Sequence, residues 1–223
     1  MRKVIAVILA IIMVFSLVAC SSNRTEKTHD NLVSSKPAIF GDSDKLEVTE
    51  GDFSYTLIYV PNSPLNVSVT KYNGTDSVVN IPSEVKGYAV TSIGKSAFSY
   101  CLQLTTVIIP DSVTHIGDGG FFYDAFLRTV IMPDSVTYIG PNAFWGCKSL
   151  TKVTIPKNVI SIGAKAFYNC KSLTKVTIPK SVTSIGTEAF KGCSKLTTVY
   201  FKSEEQKDRF KGCFRGDALL IVQ

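Results

Sequence analysis

The chain has 223 residues, enough for one compact domain or one short repeat array and too few for two large domains. Its 45% hydrophobic and 19% charged residues exclude a disordered polypeptide, and a formal charge of +6 is too mild to imply nucleic-acid binding. Two histidines and one tryptophan leave little material for metal or acid–base chemistry, so a metalloenzyme is disfavoured, and neither a cofactor nor a nucleic-acid partner is expected.

The first 20 residues, MRKVIAVILAIIMVFSLVAC, open with Arg2 and Lys3 and then run apolar over 4–19, interrupted by Ser16. As a helix this run measures about 24 Å at ~1.5 Å per residue, short of the roughly 20 residues that a stable membrane span needs. A positive start, a short apolar run and a small-residue end read as an export signal over 1–19. The ending Leu17-Val18-Ala19-Cys20 resembles the lipobox of bacterial lipoproteins. That resemblance implies diacylglyceryl transfer to the Cys20 thiol, cleavage before it, and attachment of the mature protein to a membrane by lipid. An uncleaved helical anchor, or secretion with an accidental cysteine, remains open; each places the rest of the chain outside the cytoplasm. Cleavage would remove Arg2 and Lys3 and leave the mature chain near +4. Residues 20–45 are polar, without sustained periodicity, and read as a flexible lipidated tether, with His29 a solvated residue within it.

The remainder is periodic. Pro110, Pro133, Pro156 and Pro179 are 23 residues apart, and so are the Ile-Gly pairs at Ile93, Ile116, Ile139, Ile162 and Ile185. Phe98, Phe121, Phe144, Phe167 and Phe190 keep the same step, as do Leu104, Leu127, Leu150, Leu173 and Leu196. The unit is L-x-x-V-x-I-P-x-x-V-x-x-I-G-x-x-A-F-x-x-C-x-x, shown cleanly by residues 150–172. L-x-x-V-x-I predicts a short strand with Val and Ile inward, which the following Pro ends. V-x-x-I-G predicts a second short extended segment with Gly at a tight bend, and A-F-x-x-C a helical or 3-10 turn that plugs the rung with an aromatic ring. One such unit cannot bury its apolar face alone, so neighbours must stack around a continuous core.

With IPKNVISIGAKAFYNCKSLTKVTI at 155–178 and its siblings close to the pattern IPxSVTSIGxxAFxxCxxLTxVxIP, residues 81–201 resemble the BspA-like leucine-rich repeats of bacterial surface proteins. The resemblance implies a mainly β repeat solenoid of about five 23-residue units with short helical or 3-10 turns. It also implies a β-hairpin N-terminal cap over 46–80, with strands over 53–61, 65–72 and 78–81 and a turn at Asn73-Gly74. The first unit carries a five-residue insertion around Gly87-Tyr88, and residues 202–223, helical over 202–211, would cap the other end, since an open rung exposes strand edges and core. In the second unit Asp124 stands where the siblings have Cys; loop backbone donors could satisfy it, or the rung could be irregular there. Cys101, Cys147, Cys170 and Cys193 share one repeat position, with Cys213 in the cap. Stacked rungs, about 5 Å apart, would bring them within disulfide range, but with parallel side-chain vectors, so a row of buried thiols is the expected arrangement. No C-x-x-C occurs, and no metal site is expected.

Three surface features vary while the scaffold stays fixed. The position after each A-F reads Ser99, Phe122, Trp145, Tyr168, Lys191, which would stack Phe122, Trp145 and Tyr168 into a ridge beside Tyr100 and Tyr123. Such a row suits sugar rings or a partner's apolar anchors, unless the rings merely pack across neighbouring rungs. The outward strand positions include Lys152, Lys175 and Tyr200, on the face that repeat solenoids commonly offer to partners. Residues 148–195 carry nine Lys against Glu188, whereas 20–80 carry five basic and eight acidic residues. A basic half would attract anionic wall polymer, lipid headgroups or sulphated glycans, or simply stay solvated. No G-x-S-x-G, phosphate loop or H-E-x-x-H is present, and His115 and the pair Asp118 and Asp124 suggest no catalytic constellation.

The expectation is a monomeric, lipid-anchored, extracytoplasmic protein at the cell membrane or surface that is not an enzyme and binds an extracellular protein or glycan. Adhesion to host or neighbouring cells is what the family resemblance implies. The alternatives are a structural envelope protein holding anionic wall polymer through its Lys-rich half, and a non-catalytic lipoprotein that captures polysaccharide.

Overall fold

The structure is a computed structural model and describes residues 35–214 and 216–223. The expected leader over 1–19, Cys20 and the first part of the expected tether, including His29, lie outside the described residues.

Each unit forms one rung made of three segments, and each segment stacks on its counterparts 23 residues away. The V-x-x-I-G segments supply Ser92–Ile93, His115–Ile116, Tyr138–Ile139, Ser161–Ile162 and Ser184–Ile185, parallel and in register. The L-x-x-V-x-I segments supply Val78–Asn80, Thr106–Ile108 and Thr129–Ile131 in one parallel sheet, and Lys175–Thr177 with Thr198–Phe201 in another. The A-F segments are chains of tight turns rather than helices. Within a rung they close by bonds such as Ala97 N–H to Gly94 O (3.3 Å) and Cys101 N–H to Phe98 O (3.1 Å). Between rungs, Phe98, Phe121, Phe144 and Phe167 each donate an N–H to the next rung, 2.7–2.8 Å from the carbonyls of Gly120, Ala143, Ala166 and Ala189. A helix is impossible there because two positions per rung are left-handed, for example Ser96 (φ 55°) and Tyr100 (φ 62°).

The Ile-Gly glycines do not supply a bend. None of them has positive φ; instead the rung above leaves no room for a Cβ. A Cβ on Gly94, Gly117 or Gly140 would fall 2.7–2.8 Å from the carbonyl oxygens of Val69, Ile93 and Ile116. Glycine is there for close approach of backbone to backbone.

The core is an aromatic spine. Phe98, Phe121, Phe144, Phe167 and Phe190 are fully buried and stacked, with centroids 4.9–5.2 Å apart. Tyr72 extends the stack into the N-terminal cap (5.4 Å) and Phe214 into the C-terminal one (4.9 Å). The repeated Leu and Val side chains fill the space around it, all of them buried.

Both ends differ in detail from the sequence reading. The N-terminal cap is a three-stranded antiparallel meander, β1 (Lys45–Glu50), β2 (Phe53–Ile58) and β3 (Asn66–Tyr72), and not a hairpin followed by a third strand. Its tight turn is at Gly51 (φ 56°), and β3 passes into the solenoid by pairing in parallel with Ser92–Ile93. Val78–Asn80, expected in the hairpin cap, is already the first strand of the solenoid wall. The expected tether also ends early: a 3-10 turn spans Ala38–Phe40, Phe40 is buried against Tyr59 (6.1 Å), and β1 starts at Lys45. Phe40 was the apolar residue in that stretch able to anchor it. The five-residue insertion forms a small hairpin, Glu84–Val85 with Tyr88–Ala89, whose Lys86 (φ 53°) and Gly87 (φ 78°) make the paired left-handed turn that suits the strand twist. At the other end α1 (Glu204–Phe210) starts at an N-cap, Ser203, whose hydroxyl accepts from Gln206 N–H, and a 3-10 turn follows. The final strand, Leu219–Val222, pairs in parallel with Thr198–Phe201 and covers the open edge of the last rung.

Candidate functional site

The residues singled out in the sequence fall into two sets. Five of them meet on the turn segments. Tyr100 stacks on Tyr123 (5.5 Å, 23°) and meets Phe122 edge-on (5.7 Å). Phe122 then meets Trp145 edge-on (5.2 Å), and Trp145 meets Tyr168 in the same way (5.1 Å). The row is continuous over four rungs because the A-F turns hand their next residue, Phe122, Trp145 and Tyr168, to the same side, and Tyr100 and Tyr123 join from the position after it. Most of these rings are half-buried, while Tyr100 is 60% exposed. Lys165 Nζ lies 5.5 Å from the Trp145 ring and Lys148 Nζ 5.5 Å from the Tyr123 ring, within cation–π range.

The sequence reading did not include Leu102 and Phe126, which belong beside this row. They are 49% and 54% exposed and lie on the loops that follow the first two A-F turns. The repeat register held the signal: their counterparts are Lys148 and Lys171, or Ser149 and Ser172. A large apolar residue at a position that the later rungs give to Lys or Ser was the clue.

The second set lies on the strand segments. Lys152, Lys175 and Tyr200 line one cleft of about 380 Å³, together with Thr154, Thr177 and Gln223. Lys152 and Lys175 are adjacent in a parallel bridge, and neither forms a salt bridge among the described residues. Like charges held side by side raise each other's demand for an anion. The cleft sits where the strand wall is interrupted. The N–H groups of Ile81, Ile109 and Ile178 donate to the next rung (3.0, 3.0 and 2.8 Å), and no equivalent bond from Met132 or Ile155 is present among the described residues.

Asp124 is fully buried. Its Oδ1 accepts from Cys101 N–H (2.8 Å), while Oδ2 has no partner. Burial pushes its carboxyl up to about 8, against the pull of that one N–H. The siblings use a thiol there: the Sγ–H groups of Cys147, Cys170 and Cys193 donate to the carbonyls of Phe121, Phe144 and Phe167 (3.1–3.2 Å). All five described cysteines are free. Burial, with Asp124 nearby, pushes Cys101 up to about 12 and Cys147 well above the usual thiol range, so these are packing thiols and not nucleophiles at neutral pH. His115 Nδ1 shares a hydrogen bond with Thr114 Oγ1 (2.7 Å), and Asp118 accepts from Asn142 Nδ2 (3.0 Å), away from Asp124's pocket. No group of three or more His, Cys, Asp or Glu able to hold a metal occurs among the described residues.

A family model described as BspA type leucine-rich repeat region matches in six copies, over residues 66–197 and 120–219. Among solved structures, a leucine-rich repeat protein of T. pallidum is similar at 30% identity with a TM-score of 0.68, over 79% of this chain and 82% of that one. A leucine-rich repeat protein of Bacteroides ovatus is 28% identical with a TM-score of 0.56. That similarity covers 69% of this chain and 46% of the Bacteroides protein, so the chain spans about half of that relative. The pneumococcal vaccine antigen PcpA, 18% identical with a TM-score of 0.56 over 75% of this chain and 47% of its own, shares the fold alone. No curated protein matches the sequence. The 23-residue rung, the phenylalanine spine and the six-copy match lead to one assignment: the chain belongs to the BspA-type leucine-rich repeat family.

Proposed function

We propose that this protein is a lipid-anchored, non-catalytic surface protein that binds an extracellular macromolecule and so attaches its cell to a host or neighbouring cell. The leader and the Leu17-Val18-Ala19-Cys20 ending support export and anchoring. The observation that carries the binding role is the aromatic row from Tyr100 through Phe122 and Trp145 to Tyr168. The scaffold does not require it, because the rungs at either end fold with Ser99 and Lys191 at the same position. Aromatic side chains on a surface where the fold accepts Ser or Lys are the usual material of binding hot spots.

A second reading rests on the Lys152–Lys175 cleft: retention of anionic wall polymer, with a structural role in the envelope. The two separate by salt, which screens exposed charge beyond about 8–10 Å at physiological strength. A solid-phase panel of matrix proteins, polysaccharides and wall polymers is offered to the full chain in detergent, at low and high salt. Saturable, salt-resistant binding that Trp145→Ala weakens at least tenfold is the expected result. Binding that collapses with salt and ignores Trp145→Ala would replace adhesion with the wall-polymer role.

A further inference from the structure

Of the two left-handed positions in every rung, the second carries the signal. Tyr100, Tyr123, Gly146, Asn169 and Gly192 occupy it with φ of 62°, 63°, 76°, 58° and 78°. Three of the five are the residues this conformation favours, glycine and asparagine. The other two are tyrosines, whose Cβ makes the same backbone strained. Strain retained in the first two rungs and relieved in the next three calls for a role at those two rungs. Core packing does not provide one for Tyr100, which stays mostly exposed and stacks chiefly on the other strained tyrosine. On the same loops Leu102 and Phe126 are half-exposed. Two and three rungs after Leu102, past Ala125, the equivalent positions become Lys148 and Lys171, neither of which forms a salt bridge among the described residues. Lys148 reaches back over the Tyr123 ring.

The geometry points to Tyr100, Leu102, Tyr123 and Phe126 as a docking surface for a polypeptide segment that presents an apolar anchor flanked by Asp or Glu. This rests on the binding role proposed above and names its partner class. Two features favour a polypeptide over a sugar. A sugar stacks on a ring face, and here one face each of Tyr100 and Tyr123 is turned toward the other, while Lys148 and Lys165 lie over the Tyr123 and Trp145 rings. Beside them Leu102 and Phe126 add exposed aliphatic and ring carbon, which suits an apolar side chain. Lys148, over the Tyr123 ring, supplies the complement to acidic flanks, with Lys171 one rung beyond it.

The test uses a random peptide library displayed on phage, selected on the full chain, with the double variant Tyr100→Asn/Tyr123→Gly in parallel. These substitutions copy the sibling rungs, so the variant's denaturation midpoint should equal or exceed that of the parent. Enriched peptides should combine a Leu or aromatic residue with Asp or Glu, and lose at least tenfold affinity for the double variant and severalfold for Lys148→Glu. A lowered midpoint would make the tyrosines structural and overturn the inference. So would selection yielding no tyrosine-dependent acidic peptides, or tyrosine-dependent binding of dextran, hyaluronan or heparin instead. If the double variant keeps the macromolecular binding that Trp145→Ala abolishes, the adhesion role stands and this surface does not.

Discussion

Asp124 shows how a single substitution in a repeat changes what a rung can tolerate. Its siblings close the same gap with a thiol that needs only one acceptor, whereas a carboxylate needs several donors and finds one. Its carboxyl is held at about 8 when folded and returns to about 3.9 in the unfolded chain. Between those values the folded state keeps a proton that the unfolded state has lost, so stability is full below about pH 4 and falls as pH rises through about 8. The parent should therefore lose on the order of a few kcal/mol between pH 5 and pH 8. Asp124→Asn, or Asp124→Cys copying the siblings, should flatten that dependence; denaturant midpoints measured across the range check it, and equal slopes for parent and variants would refute it. The exception itself was visible in the register, but its single N–H donor, from Cys101 in the preceding rung, was not, because that depends on how two loops meet in space.

At the level of elements, the rung is uneven around its perimeter. The eight-stranded sheet that contains the V-x-x-I-G segments runs unbroken from β1 to Ser184–Ile185, while the opposite strand wall is interrupted at the third rung. Hydrogen exchange should follow this difference. The amides of Met132 and Ile155, which lack an inter-rung acceptor, should exchange faster than those of Ile109 and Ile178, which have one. Equal protection at all four would mean the wall is continuous in solution. Periodicity made most segments legible: apart from residues 152–154, which form only an isolated bridge, the predicted repeat strands and turns sit where the 23-residue step places them. The interruption was not legible, since Val153 and Ile155 keep the repeat's residue types. Nor was the cap's first strand, because β1 (KLEVTE) is mostly polar and exposed, although β2 and β3 lie within the stretches read as strands. Of the candidate site, the aromatic row followed from register alone. Leu102 and Phe126 needed the further step of comparing outward positions between rungs.

The whole molecule is organised by its spine. Stacked rings run from Tyr72 in one cap to Phe214 in the other, so neither end is independent of the middle. Phe167, fully buried with Phe144 and Phe190 each 5.2 Å away, lies within that column. Phe167→Ala should cost about 3–5 kcal/mol, the range for an aromatic ring removed from a core. A denaturation midpoint unchanged by the substitution would show that the column does not carry load between rungs. The close approach at the Ile-Gly glycines has a different consequence, one of growth. Because every junction between rungs is made by backbone touching backbone at the same register, one junction is interchangeable with the next. A gene encoding such a chain can lengthen or shorten by 23 codons without new caps having to arise, and the span of the solenoid can then change while the ends stay as they were.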